Sequence, residues 1–276
     1  MAERLYHEPR WCKDLLGLTG RPSALTLIPL TTRPLINQAL IGRDEEIKWL
    51  QNNQGDRLVT GQPGSGKTSL LHHLVLRGWG LFLVDHDLAA IANAIRKQRP
   101  KVIIVDDAHF QTELLTKLIQ LRREINAQFD IVASCWTGDK DLVAEVLTLS
   151  SSQVCELPLL TRDEMVHVTR HAGLGGPVEL IREIVTQAEG RPGLAVTLSH
   201  LSLSGDVREV LYGNALRRSL LTAFEQLVGK TVAEVLAAFA LGGDAGASME
   251  AVSKVIGISM SELRASLVKL AAGGVL

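Results

Sequence analysis

The sequence predicts an α/β fold, a parallel sheet flanked by helices and followed by two helical segments. Three observations carry this expectation. Gly61-Gln62-Pro63-Gly64-Ser65-Gly66-Lys67-Thr68 stands between a strand-like run and a helix-like one. Val102-Ile103-Ile104-Val105, four β-branched apolar residues in a row, suits a strand buried on both faces of a parallel sheet, and it ends in Asp106-Asp107. The C-terminal stretch reads as helix–turn–helix.

At its N-terminus the chain is hard to order, because Pro9, Pro22, Pro29 and Pro34 break any long helix. Residues 1–40 are therefore expected to form an arm on the core. Ile41-Gly42-Arg43-Asp44-Glu45-Glu46-Ile47 then leads into a helix, and Arg57-Leu58-Val59-Thr60 reads as the first strand. The glycine-rich segment that follows fits G-x-x-x-x-G-K-[ST] at every position, and Ser69 to Leu76 reads as its helix. In that setting the N–H groups of Gly64 to Thr68 converge on a phosphate, and the helix N-terminus adds partial positive charge. Lys67 reaches the β and γ phosphates, and the Thr68 hydroxyl sits on Mg²⁺. Gly61, Pro63, Gly64, Ser65, Gly66, Lys67, Thr68 and Ser69 are the expected phosphate-side residues. A bland glycine-rich turn is outweighed by a full eight-residue match in this context.

Gly80 to Asp85 is a plausible second strand and Leu88 to Arg99 a crossover helix. The strand from Lys101 to Val105 places its carboxylates where open α/β sheets bind ligands. Asp106 is the candidate for holding Mg²⁺ through water, and Asp107 the candidate for polarising the attacking water. A helix from about Thr112 to Ala127, a strand from Asp130 to Ser134 and a last strand from Gln153 to Leu157 complete the β-α-β alternation, with right-handed crossovers expected. Guanine-reading [NT]-K-x-D is missing, since Asp139-Lys140-Asp141 does not fit it. Leu203-Ser204-Gly205-Asp206 lacks the second Gly and the Gln of a transporter signature.

Beyond the sheet, Thr161 and Glu164 make a capping box for a helix that stops near Gly173. Pro177 opens another helix, and Gly190-Arg191-Pro192-Gly193 turns into a third. Further helices are expected from Lys230 to Ala240, from Met249 to Ile256 and after Ser259, where Glu262 supplies a second capping box. Leu263, Leu267 and Leu270 share one face of the last helix.

Composition narrows the setting. The chain has 276 residues, beyond the usual size of one core, with 29 Lys plus Arg against 30 Asp plus Glu. That balance carries no polyanion bias. Cys12, Cys135 and Cys155 have no metal spacing and suit a reducing compartment, the cytoplasm. Apolar runs are interrupted by His72-His73, Arg77 and Asp85, so no membrane span is expected, and no signal peptide is visible.

A hydrophobic-Gly-Arg-acidic entry, a P-loop, a strand ending Asp-Asp-Ala-His, a helical segment with Gly-x-Pro and a helix–turn–helix occur here in order. That combination resembles the STAND NTPases, signal-transducing relatives of the AAA+ ATPases, over roughly residues 41 to 276. The resemblance implies a parallel-sheet P-loop NTPase core at 41–157, a helical lid at 158–212 and an incomplete winged-helix domain at 213–276. It implies that Ile41 and Gly42 line the adenine, that Arg43 lies beside the nucleotide and that Pro192 closes over the base. It further implies ATP or ADP with Mg²⁺ as ligands, ATP hydrolysis, and self-association in the ATP-bound state.

Two departures qualify it. Many relatives end the fourth strand with a γ-phosphate-sensing arginine, whereas Ala133-Ser134-Cys135-Trp136 offers Ser134, so hydrolysis is expected to be slow unless another basic residue supplies the charge. The sequence also stops at Gly273-Gly274-Val275-Leu276, where a β-wing should begin, so a C-terminal sensor domain is expected outside this sequence. His109 stands between approaching the γ-phosphate and capping a loop. Arg122-Arg123 reads as a solvated face sooner than an arginine finger, and Trp136 as packing. Two rival readings remain: a DNA-loading or transposition-helper AAA+ ATPase, with Arg191 as its sensor, and a non-hydrolysing scaffold. Duplex DNA binding is not expected, because the last helix offers only Arg264 and Lys269, with Glu262 at its start.

Overall fold

A computed structural model describes residues 23–29, 40–204, 225, 229–242 and 246–272. Most of the expected arm, the expected boundary at residues 212/213 and the expected onset of a wing lie outside the described residues. The chain divides into two units. The first takes in residues up to Gly61, Gly66–Cys135 and Asp139–Pro158, and the second Gln62–Ser65, Trp136–Gly138 and the chain from Leu159 onward.

The first unit is an α/β layer structure. Its elements run β1 (Leu25–Thr26), α1 (Asp44–Asn52), β2 (Arg57–Thr60), α2 (Lys67–Val75), β3 (Leu81–Leu83), α3 (Leu88–Gln98), β4 (Val102–Val105), α4 (Thr112–Glu124), β5 (Asp130–Cys135), α5 (Lys140–Leu147) and β6 (Val154–Glu156). The strands form one six-stranded sheet in the order β1-β3-β4-β5-β2-β6. β2 to β6 pair in parallel, with Thr60 beside Cys135 and Val105 beside Ala133. The P-loop strand and the strand bearing Asp106 are thus separated by β5 alone, and the C-terminal ends of all three adjoin.

The alternation of strand side chains explains why both faces are covered. Leu58, Ile103, Val105, Ile131 and Ala133 pack with Ile91, Ile95, Leu115, Leu118 and Val143 from α3, α4 and α5. Their neighbours Val59, Val102, Ile104 and Val132 point the other way and pack with Leu50 of α1 and with Leu70, Leu71 and Leu74 of α2. Period-2 side-chain direction, applied to strands apolar at every position, requires two helical layers.

The sheet is mostly parallel but mixed. β1 pairs antiparallel with β3, Leu25 opposite Leu83, so part of the segment read as an arm is an edge strand. Ala24 and Leu25 are buried there. Two residues are too few to show a strand period in the sequence, and the pairing covers an edge that β3 would otherwise expose. The helix expected to reach Ala127 ends at Glu124, with Asn126 left-handed at φ 48°.

In the second unit, α6 (Arg162–His171), α7 (Val178–Ala188) and α8 (Pro192–Ser204) pack pairwise, burying Met165, Val168, Ile184, Ala195 and Leu198. The Thr161–Glu164 capping box is present. α9 (Lys230–Gly242), α10 (Met249–Ile256) and α11 (Met260–Ala272) form a second cluster around Val235, Val252, Leu263 and Leu270. Trp136 is buried in that cluster, as packing. Glu262 closes the second capping box on Ser259. No strand follows β6 among the described residues, and no helix among them is long and apolar enough to cross a membrane.

Candidate functional site

The site begins where β2 ends. Gly66, left-handed at φ 97°, turns the chain into α2, which starts at Lys67, two residues before the expected Ser69. Lys67 is buried, and its Nζ donates to Gly61 O at 2.7 Å, which folds the side chain back along the loop it belongs to. Thr68 lies in the first turn of α2, and Ser69 beside it is half-buried. Ser65 N–H donates to Gln62 O at 3.1 Å, so this expected phosphate donor is engaged in the loop's own turn. Pro63, Gly64 and Ser65 are buried at the apex.

The two sequence motifs meet through side chains. Thr68 Oγ1 donates to Asp106 Oδ2 at 2.7 Å, and Ser134 Oγ at the end of β5 donates to Asp106 Oδ1. Asp107 takes the left-handed conformation at φ 47°, which aspartate tolerates better than most residues. Its N–H is held by Ser134 Oγ at 2.9 Å. Ser134 therefore positions both acids from the strand between the two motifs. Gln111 adds an amide hydrogen bond to the Asp106 carbonyl at 2.8 Å.

Burial, with Asp107 adjoining, pushes the Asp106 carboxyl up to about 6, against the opposing hydrogen bonds from Ser134 and Thr68 and the charge of Lys67. A buried acid in that condition is stabilised in its ionised form by an added cation. A hydroxyl and a carboxylate oxygen 2.7 Å apart are the hard donors Mg²⁺ uses when phosphates supply further ligands. The residues therefore fit Mg²⁺ bound together with a nucleotide. Among the described residues no cluster of three His, Cys, Asp or Glu could cage a metal alone.

His109 follows in a single 3₁₀ turn (Ala108–Phe110), its ring centroid 3.9 Å from that of Phe110. Burial, with Lys67 nearby, pushes its pKa down to about 3, so the imidazole is neutral at physiological pH.

Other expected site residues lie outside this group of hydrogen bonds. Arg43 is almost wholly buried in the first unit, where its guanidinium donates to Pro158 O at 2.8 Å and lies 3.6 Å from Glu46. It clamps the last residue of that unit. Ile41 is half-buried and Gly42 exposed, just ahead of α1, and Pro192 opens α8 in the second unit. Arg122 is neither a solvated residue nor a free finger. It makes two 2.7 Å bonds to Asp56, and Asp56 also accepts from Ile131 N–H. Position on a helix gave no sign of this, because Asp56 lies 66 residues away.

Sequence reasoning missed Gly193, whose N–H donates to Gly64 O at 2.8 Å. Its place directly after Pro192 in Gly-Arg-Pro-Gly was the available signal. It also missed Arg57, buried at the opposite end of β2. The Arg57 guanidinium bonds Asp130 at 2.8 Å and the carbonyls of Leu50 and Asn53.

Residues 44–156 match the family described as novel STAND NTPase 3. No curated protein matches the sequence. Among solved structures, the Orc1 protein of Aeropyrum pernix in complex with DNA is similar at TM-score 0.52 and 14% identity, covering 87% of this chain and 85% of that one. Cdc6p from Pyrobaculum aerophilum aligns at TM-score 0.49 and 16% identity, over 88% of each chain. A STAND protein with a tetratricopeptide repeat sensor, from Pyrococcus horikoshii, aligns at TM-score 0.42 and 15% identity over 89% of this chain and 41% of its own. At such identities the Orc1 likeness speaks for the fold.

Proposed function

We propose that the chain is an ATP/ADP-dependent switch with slow ATP hydrolysis, and that residues 44–156, which match the novel STAND NTPase 3 family, form its nucleotide-binding core. The observation that carries this is the meeting of Thr68 with Asp106 beside Lys67, which joins a phosphate cradle to a metal-ready carboxylate. Gly61 to Ser69 hold the phosphates, Lys67 neutralises their β and γ charge, and Thr68 with Asp106 hold Mg²⁺. A Mg²⁺ ion held there would offset the negative charge that develops in phosphoryl transfer. The Asp107 carboxylate accepts the proton of the attacking water, and Ser134 keeps it in place through the backbone. Ile41, Gly42 and Pro192 serve the base.

No arginine ends β5, which supports slow turnover. A switch requires only that ATP and ADP bind two conformations differently. The output is control of assembly, through self-association in the ATP state and in response to a sensor domain of the same protein, with a cytoplasmic setting. A single-turnover assay, combined with identification of the nucleotide that co-purifies, tests this. Bound ADP and a slow γ-phosphate release support the switch, and bound nucleotide that is never cleaved points to a scaffold.

A second reading, a DNA-loading ATPase, draws on the Orc1 fold likeness and on Arg191, whose buried Nε stands in the turn next to the P-loop apex. Against it stands α11, where Glu262 is fixed at the helix start by Ser259 with its pKa lowered by those hydrogen bonds. A carboxylate so placed repels phosphates. Duplex DNA binding in the micromolar range, lost on Arg264→Ala and Lys269→Ala, would favour this second reading over the switch.

A further inference from the structure

The turn Gly190-Arg191-Pro192-Gly193 grips two other segments of the second unit through backbone alone. Leu160 N–H donates to Gly190 O at 2.9 Å, and Gly193 N–H donates to Gly64 O at 2.8 Å. The first approach requires glycine, and the second leaves little room for anything larger. A Cβ on Gly190 would stand 2.8 Å from Leu160 O and 2.9 Å from Leu159 Cβ, at a φ of +75°. On Gly193 it would stand 3.1 Å from both Gly64 Cα and Gly64 O. The turn itself is braced between α7 and α8 by Arg191 N–H to Ala188 O at 2.8 Å and Leu194 N–H to Arg191 O at 3.1 Å.

One peptide plane links this turn to the phosphate site. A trans peptide directs its carbonyl and its N–H to opposite sides. The Gly64–Ser65 peptide has its carbonyl held by Gly193 N–H and its N–H held by Gln62 O at 3.1 Å. Ser65 N–H is also among the donors a P-loop offers to phosphate. A phosphate that takes this N–H draws the plane away from Gln62, and the same rotation swings the Gly64 carbonyl off Gly193.

We propose that Gly193 reads phosphate occupancy of the P-loop through the Gly64–Ser65 peptide and passes it, along the turn it shares with Gly190, to the linker at Leu160. The inference rests on the nucleotide-binding reading above. It makes Gly193 a positioning residue and the turn a lever between two hydrogen bonds, one on the P-loop and one on the segment that enters α6. Coupling between sites needs a segment with two arrangements, and in this proposal the two backbone contacts on the braced turn are made in one and released in the other.

Amide hydrogen exchange on the whole 276-residue chain tests it, run with and without ATP-Mg²⁺, while a fluorescent ATP analogue reports binding separately. In the wild type, nucleotide changes the exchange of Gly193 and Leu160 together, by about tenfold, within the usual range of coupling between sites. Gly190→Ala keeps the response at Gly193 and loses it at Leu160. Gly193→Ala, with nucleotide still bound, loses both. Wild-type chain that binds nucleotide without any change at Leu160 overturns this inference alone, and so does a folded Gly193→Ala that responds as wild type does. A wild-type chain that takes up no nucleotide overturns the binding reading and this inference with it.

Discussion

Thr68 and Asp106 are joined by a 2.7 Å hydrogen bond across 38 residues of sequence, from the first turn of α2 to the end of β4. The contact exists because the sheet places β5 alone between β2 and β4, so the two strand ends face one small space. Ser134, on that middle strand, completes the arrangement by bonding Asp106 and the Asp107 N–H. The two acids are held differently: the Asp106 carboxylate accepts from two hydroxyls, and Asp107 is held by its backbone N–H.

Asp106→Asn is expected to weaken the Mg²⁺ dependence of nucleotide binding by about tenfold or more, as loss of a metal partner does. Thr68→Ala follows in the same direction. Nucleotide titrations with Mg²⁺ and with a chelator check this, and an unchanged Mg²⁺ effect in Asp106→Asn would remove it from the metal site.

The acidity of Asp106 sets a pH dependence. Its folded pKa of about 6 stands above the ordinary 3.8, so folding favours the protonated acid. The stability this contributes is fully present below the ordinary value and is lost as pH rises through about 6. Without Mg²⁺, the wild type should therefore lose stability relative to Asp106→Asn as pH rises from about 4 through about 6. Thermal melting of the two proteins across that window measures it, and parallel curves would contradict it.

Asp107→Asn should leave ATP affinity near wild type and lower turnover by about 10²-fold, the range of a lost general base. Pre-steady-state phosphate release, beside a binding titration, separates the two quantities. Normal turnover in this variant would mean that another group polarises the water.

Arg57→Ala should destabilise the fold by about 2–4 kcal/mol. Removing one partner of a buried pair costs ~3–5 kcal/mol. The lower figure follows because Asp130 is 33% exposed and is partly screened by water when left alone. Denaturant unfolding at neutral pH measures the change, and a loss under ~0.5 kcal/mol, the scale of an ordinary surface substitution, would show that the pair is dispensable.

The glycine-rich loop and the acidic end of β4 were legible in the sequence because their signals are local. A P-loop is eight consecutive residues, and Val102 to Val105 is a continuous apolar run whose end names Asp106 and Asp107. The capping boxes at Thr161 and Ser259 are patterns of four consecutive residues, and both formed as read. What stayed hidden depends on residues far apart in the chain. Ser134 was noticed as the absence of an arginine, and only β5's place between β2 and β4 made it the partner of both acids. Arg43 was expected beside the nucleotide by resemblance alone, and its bond to Pro158, across 115 residues, is one that no local pattern could name. Leu25 and Thr26 make an edge strand too short for any periodicity to reveal.

The central claim is that the loop from Gly61 to Thr68 holds nucleoside triphosphate through Lys67. Equilibrium titration of ATP-Mg²⁺ against wild type and Lys67→Ala, with matched melting curves to show that both are folded, tests it most directly. The account predicts saturable binding by the wild type and none by the folded variant at the same concentrations. Retained tight binding by Lys67→Ala would contradict it.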